Sequence, residues 1–184
     1  VRMLGGPGDD RLQADSAGTA ADVFDGGPGD DELTGGPGRD TLDGGDGDDV
    51  LAGKAGDDVL HGGAGDDSLD GDSNKDPGHD VLDGGAGFDT IDSDWEQADT
   101  PAQAARPLRL TLGAGADDGR PGEGDDVRSV ERVVVSRGGT FTGSDGPEEI
   151  RLLQVGADAT VRGMGGNDIL RAGDGNDTVD GGAG

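Results

Sequence analysis

The sequence predicts an all-β solenoid in which short parallel strands are wound two to a coil. Three observations predict it. Units of nine residues, Gly-Gly-x-Gly-x-Asp-x-(aliphatic)-x, follow one another from Gly5 to Asp92. One place in every unit is apolar: Leu12, Phe24, Leu33, Leu42, Leu51, Leu60, Leu69, Leu82 and Ile91. Equivalent turns recur at an 18-residue spacing wherever no insertion intervenes, as from Asp31 to Asp49 to Asp67.

The two halves of a unit ask for different backbones. Closely spaced glycines accept positive φ and so allow a tight turn whose carbonyls face one concave space. The x-(aliphatic)-x half runs straight and turns one side chain inward, by the alternation of a strand. Its flanking residues are polar and mixed (Arg11, Glu32 and Ser68 before, Gln13, Asp43 and Asp70 after), as an outward face requires. Turn, strand, turn, strand makes one coil, so turns stack on two sides. One side carries Asp10, Asp31, Asp49, Asp67 and Asp89; the other carries Asp22, Asp40, Asp58 and Asp80. Insertions around Ser16–Thr19 and Ser73–Asp76 lengthen turns on one side without moving the inward row.

Composition sets the physical problem. The chain has 184 residues with 41 glycines, three phenylalanines and no cysteine, and its net charge is −27. A net charge of this sign repels nucleic acid, and no basic stripe offsets it. No apolar run approaches the ~20 residues that span a bilayer. The absence of cysteine excludes thiolate sites and disulfides. One buried leucine per unit, worth roughly 1.5–3 kcal/mol, falls far short of the entropy of ordering the whole unit. Stacked aspartates also repel one another. A hard divalent cation taking six to eight oxygens answers both needs. Carboxylate and carbonyl donors without nitrogen or sulfur select calcium over zinc or copper.

With these motifs in view, the chain resembles the RTX, or hemolysin-type, calcium-binding nonapeptide repeats. That resemblance implies a right-handed parallel β-roll with each ion between turns one coil apart. It implies ligand pairs Asp10–Asp31, Asp31–Asp49, Asp49–Asp67 and Asp67–Asp89 on one side. On the other it implies Asp22–Asp40, Asp40–Asp58 and Asp58–Asp80. The carbonyl donors it implies include Gly27, Gly29, Gly36, Gly38, Gly45, Gly47, Gly63 and Gly65. The second unit departs from the pattern, with Ala14-Asp-Ser-Ala where Gly-Gly-x-Gly belongs. About seven to nine calcium ions in all are expected.

Three segments follow: a regular β-roll over 1–92, an irregular spacer over 93–142 that continues the solenoid, and a partly degenerate β-roll over 143–184. In the spacer, 94–106 reads as a loop or short helix, Leu108–Leu112 and Val130–Val135 as strands, and Gly113–Asp126 as a Gly/Asp loop. The last segment offers Glu148, Asp168 and Asp177 in the ligand place. Neither end reads as a solenoid cap, so head-to-tail self-association is a partner the sequence allows.

Other chemistry is poorly supported. No Gly-Lys-Ser/Thr follows a glycine turn (Lys54 precedes Ala55), and no Gly-x-Ser-x-Gly or His-Glu-x-x-His occurs. The stretch 70–76 imitates an EF-hand start but has Lys75 where glycine belongs. His61 and His79 read as surface residues, and Trp95 as packing of the loop. Ice binding needs a regular outward row of Thr or Asn; the third places hold Pro7, Pro28, Pro37, Asp46, Ala55, Ala64 and Ala86 instead. The sequence therefore points to a non-enzymatic, secreted calcium-binding module with a structural, adhesive or self-assembling role. The alternative is a C-terminal accessory module of a secreted protease or lipase.

Overall fold

The computed structural model describes residues 1–15, 18–72, 78–91, 108–113, 126–135, 138–153, 156 and 158–184. Half of the first insertion and all of the second, Trp95, the loop 94–106, most of the EF-hand-like stretch and most of the Gly/Asp loop lie outside the described residues. Among those described, every regular element is a strand and every strand pairing is parallel. No helix there is long and apolar enough to cross a membrane.

One sheet orders β1 (Arg2–Leu4), β3 (Val23–Pro28), β5 (Thr41–Asp46), β7 (Val59–Ala64), β9 (Val81–Ala86) and β12 (Asp126–Arg128). A second orders β2 (Arg11–Gln13), β4 (Glu32–Thr34), β6 (Val50–Lys54), β8 (Ser68–Asp72), β10 (Thr90–Ile91), β13 (Arg132–Val135), β15 (Glu149–Leu152) and β17 (Ile169–Arg171). A third holds β11 (Leu108–Thr111), β14 (Gly139–Thr142), β16 (Thr160–Arg162) and β18 (Thr178–Asp180). From β1 to β10 successive strands alternate between the first two sheets, so the chain climbs one coil for every two strands. This is the all-β parallel solenoid that the repeat predicts.

The core is a file of side chains between the sheets. Leu33, Leu51, Leu69 and Ile91 stand in register on one side, and Phe24, Leu42, Leu60 and Leu82 on the other. All are fully buried. Leu12 is only partly buried, because β2 lies at the sheet edge with β4 as its one neighbour. Neither insertion shifts the row: Phe24 pairs with Met3, and Leu82 with Leu60.

The spacer differs in detail from its sequence reading. Its predicted strands are observed as Leu108–Thr111 and Arg132–Val135, with Val130 buried at the corner before the second. Two further strands, β12 and β14, form where no strand was expected. They are recruited by neighbours: β12 pairs with β9, and β14 with β11 and β16. The file continues through Val133 and Ile150, which stack on Ile91 in turn.

Candidate metal centres

Each candidate centre is built from two stacked turns. Gly45, with φ of 116°, shows why the turns are glycine-rich. An L-residue is strained there, and a Cβ would lie 2.1 Å from the carbonyl oxygen of Gly27 in the coil before. Gly63 stands over the Gly45 carbonyl at the same 2.1 Å. Gly47 and Gly65 repeat this over the carbonyls of Gly29 and Gly47. The second- and fourth-place glycine carbonyls of these successive coils thus stand in vertical files.

Beside these files stand the aspartates. On the first side the N–H of Asp10 donates to Oδ1 of Asp31 (2.7 Å), Asp31 to Asp49 (2.7 Å), Asp49 to Asp67 (2.9 Å) and Asp67 to Asp89 (2.9 Å). On the second, Asp22 donates to Asp40, Asp40 to Asp58 and Asp58 to Asp80, each at 2.8 Å. These are the same pairs that the repeat brings together. The one Oδ1 is thereby used. The Oδ2 atoms of Asp10, Asp31, Asp49, Asp58, Asp67 and Asp89 are buried and accept no hydrogen bond.

A Cβ placed on Gly44 would lie 2.2 Å from Oδ2 of Asp49 and 2.6 Å from the carbonyl oxygen of Gly62. Gly26 repeats this with Asp31 (2.3 Å) and the Gly44 carbonyl (2.6 Å), and Gly53 with Asp58 (2.5 Å) and the Gly71 carbonyl (2.7 Å). Carboxylate and carbonyl oxygens therefore converge on a space that a methyl group could not enter. Burial pushes the Asp58 carboxyl up to about 7, against the Asp40 N–H bond that lowers it, and Asp80 and Asp40 add repulsion. Burial likewise pushes Asp49, Asp67 and Asp89 up to about 6. Buried anions held so close need a counter-charge.

The candidate residues are not all alike. Oδ2 of Asp40 accepts the N–H of Gly36 in its own turn (2.7 Å). Gly38 stacks on Thr19 and Ala20 of the atypical second unit in place of a glycine. In the last segment Glu148 donates its N–H to Oδ1 of Asp168 (3.1 Å), and Oε2 of Glu148 and Oδ2 of Asp168 are buried without hydrogen bonds. Asp177 accepts the N–H of Ala159 (2.8 Å), so a methyl group stands where its partner carboxylate belongs. His61 and His79 are exposed. Among the described residues no three His, Cys, Asp or Glu side chains converge as a metal-binding group. Any ion here takes most of its ligands from the backbone, and an all-oxygen shell of that kind suits calcium. One acidic residue that the sequence reading missed, Glu131, stands one rung beyond Asp89.

An all-parallel coil whose regular corners each carry an acidic residue and a glycine turn defines a calcium-binding β-roll. The sequence model of the RTX calcium-binding nonapeptide repeat matches residues 4–42, 16–51, 43–76, 76–95 and 156–184, more than half of the chain. The chain belongs to that family. No curated protein matches it.

Proposed function

We propose that calcium ions sit between successive turns on both sides of the coil and that their binding drives folding. Each ion is held by the sixth-place carboxylates of two stacked turns and by glycine carbonyls, including those of Gly27, Gly29, Gly45, Gly47, Gly63 and Gly65. The observation that carries the carboxylate half of this is the row of buried Oδ2 atoms without hydrogen bonds, which converge with first-place carbonyls of the next coil, those of Gly44, Gly62 and Gly84 for Asp31, Asp49 and Asp67. A ligand that binds only the folded chain stabilises it by mass action. Extracellular calcium modules work at about 10⁻⁴–10⁻³ M, so the coil folds on reaching that medium and serves there as a structural, adhesive or self-assembling rod. The segments 1–92, 93–142 and 143–184 act as one solenoid; hydrogen bonding of β12 to β9 and of β13 to β10 and β15 supports this.

Circular dichroism during a calcium titration tests the proposal. A strand spectrum that appears with calcium and reverts to coil with a chelator is expected. A spectrum indifferent to both would refute it.

A further inference from the structure

We infer that the chain holds an additional divalent-cation site that no pair of nonapeptides encodes, between Asp89 and the corner formed by Ser129 and Glu131. Its ion clamps the regular coils to the spacer strands. This rests on the reading that sixth-place carboxylates hold calcium.

Asp89 and Glu131 are 42 positions apart in sequence yet occupy adjacent rungs. The strands that follow them are paired, Thr90 with Arg132 and Ile91 with Val133. The N–H of Asp89 donates to Oε2 of Glu131 at 2.9 Å, the bond that Asp67 makes to Asp89 at the same length. Oδ2 of Asp89 is then left without a hydrogen bond, in a residue with no exposed surface.

The carbonyl side of the cradle is also complete. A Cβ on Gly84 would lie 2.5 Å from Oδ2 of Asp89 and 2.1 Å from the carbonyl oxygen of Ser129. Gly62 stands in the same relation to Oδ2 of Asp67 (2.3 Å) and the Gly84 carbonyl (2.5 Å). Ser129 reaches this place with φ of 49°, so a single left-handed residue does the work of a glycine turn.

A guanidinium is the obvious rival for the counter-charge, since Arg128 and Arg132 flank the corner. Both are engaged elsewhere. Arg128 pairs with Asp126, and Nε of Arg132 bonds Glu149 at 2.9 Å while its guanidinium lies 4.6 Å over the Phe88 ring. Two carboxylates and backbone carbonyls remain, a donor set for a hard divalent cation such as calcium.

The test compares the full chain with Glu131→Gln and Glu131→Asp. Glutamine keeps the volume and an acceptor for the Asp89 N–H but loses the charge. Aspartate restores the residue that the regular turns carry. Bound calcium is counted after equilibrium dialysis, and amide exchange is followed by mass spectrometry in calcium. Glu131→Gln is expected to lose one bound ion and the protection of β13 and β15 while β5 and β7 stay protected; Glu131→Asp is expected to keep both. An unchanged ion count in Glu131→Gln overturns the site. So does equal loss of protection in both variants, which marks a packing role. Wild-type chain that binds no calcium overturns the parent reading too, and the ions that Glu131→Gln retains on the regular turns tell the two failures apart.

Discussion

The main-chain N–H of Asp31 donates to Oδ1 of Asp49 at 2.7 Å, and Oδ2 of the same Asp49 is buried with no hydrogen bond. One carboxylate therefore does two tasks. Its first oxygen fixes the register of the coil before, and its second is left facing the carbonyl of the coil after. Two different oxygens of one residue thus fix the register and face the proposed ion site.

Asp49→Asn separates the tasks. The amide oxygen can still accept the Asp31 N–H, while the charge shared by two neighbouring centres is lost. A charged interaction of this kind is worth about 1.5–3 kcal/mol, and 1.4 kcal/mol is tenfold in affinity. The calcium midpoint of folding is expected to rise about tenfold or more. Asp177→Asn should move it much less, because Asp177 faces Ala159 and not a second carboxylate. Equal shifts in the two variants would contradict the pairing.

Leu51→Ala tests the inward file. Leu51 is fully buried between Leu33 and Leu69 in register. Removing a buried leucine side chain leaves a cavity and costs about 2–5 kcal/mol. Loss of stability is expected in denaturant titrations at saturating calcium. Val50→Ala, half-exposed on the outer face, should change it by no more than about 0.5 kcal/mol.

The inward file and the aspartate ladder were legible in the sequence, because strand alternation and the nine-residue period both tie a letter to a direction. Strand β12 was not. Its three residues, Asp126-Val-Arg, include one apolar residue and so carry no period; it exists because Asp126 finds the carbonyl of Asp80 (2.8 Å) far back in the chain. Glu131 was missed for a related reason. It directly precedes Arg132–Val135, as an Asp precedes each regular strand on that side, but no glycine turn announces it. The tie between Gly36 and Asp40 depends on where one amide points, which residue type does not encode. Nor did the sequence indicate that Glu149 would be buried, with Nε of Arg132 at 2.9 Å and Nε of Arg151 at 2.6 Å. Those bonds hold its carboxyl below the usual range although burial alone would raise it.

Lys54→Gly is expected to stabilise the coil. Lys54 takes the second place of its turn, where the regular units carry glycine, with φ of 88°. A left-handed non-glycine residue costs about 1–3 kcal/mol, offset in part by the greater freedom of glycine in the unfolded chain. A net gain of about 1 kcal/mol in calcium is expected from denaturant titration. Gly45→Ala should do the reverse and more strongly, since its Cβ meets the Gly27 carbonyl at 2.1 Å. A gain of stability in Gly45→Ala would show that the stacked turns are not as close as described.

Acid should act in opposite directions on the calcium-free and calcium-bound chains. Burial raises the folded-state carboxyl of Asp58 to about 7 and those of Asp49, Asp67 and Asp89 to about 6. Unfolded, each titrates near 3.9, roughly the free aspartate value. Between about pH 4 and pH 7 the folded calcium-free chain therefore binds more protons than the unfolded one, and its stability falls as pH rises. The charge penalty is fully present above that window and absent below it. In chelator, the strand signal is expected to strengthen from pH 8 to pH 5. Protons also compete with calcium for the same oxygens, so the calcium concentration needed for folding should climb as pH drops through the same range. A calcium-free chain more strand-like at pH 8 than at pH 5 would mean that these carboxylates are not buried together before the ion arrives.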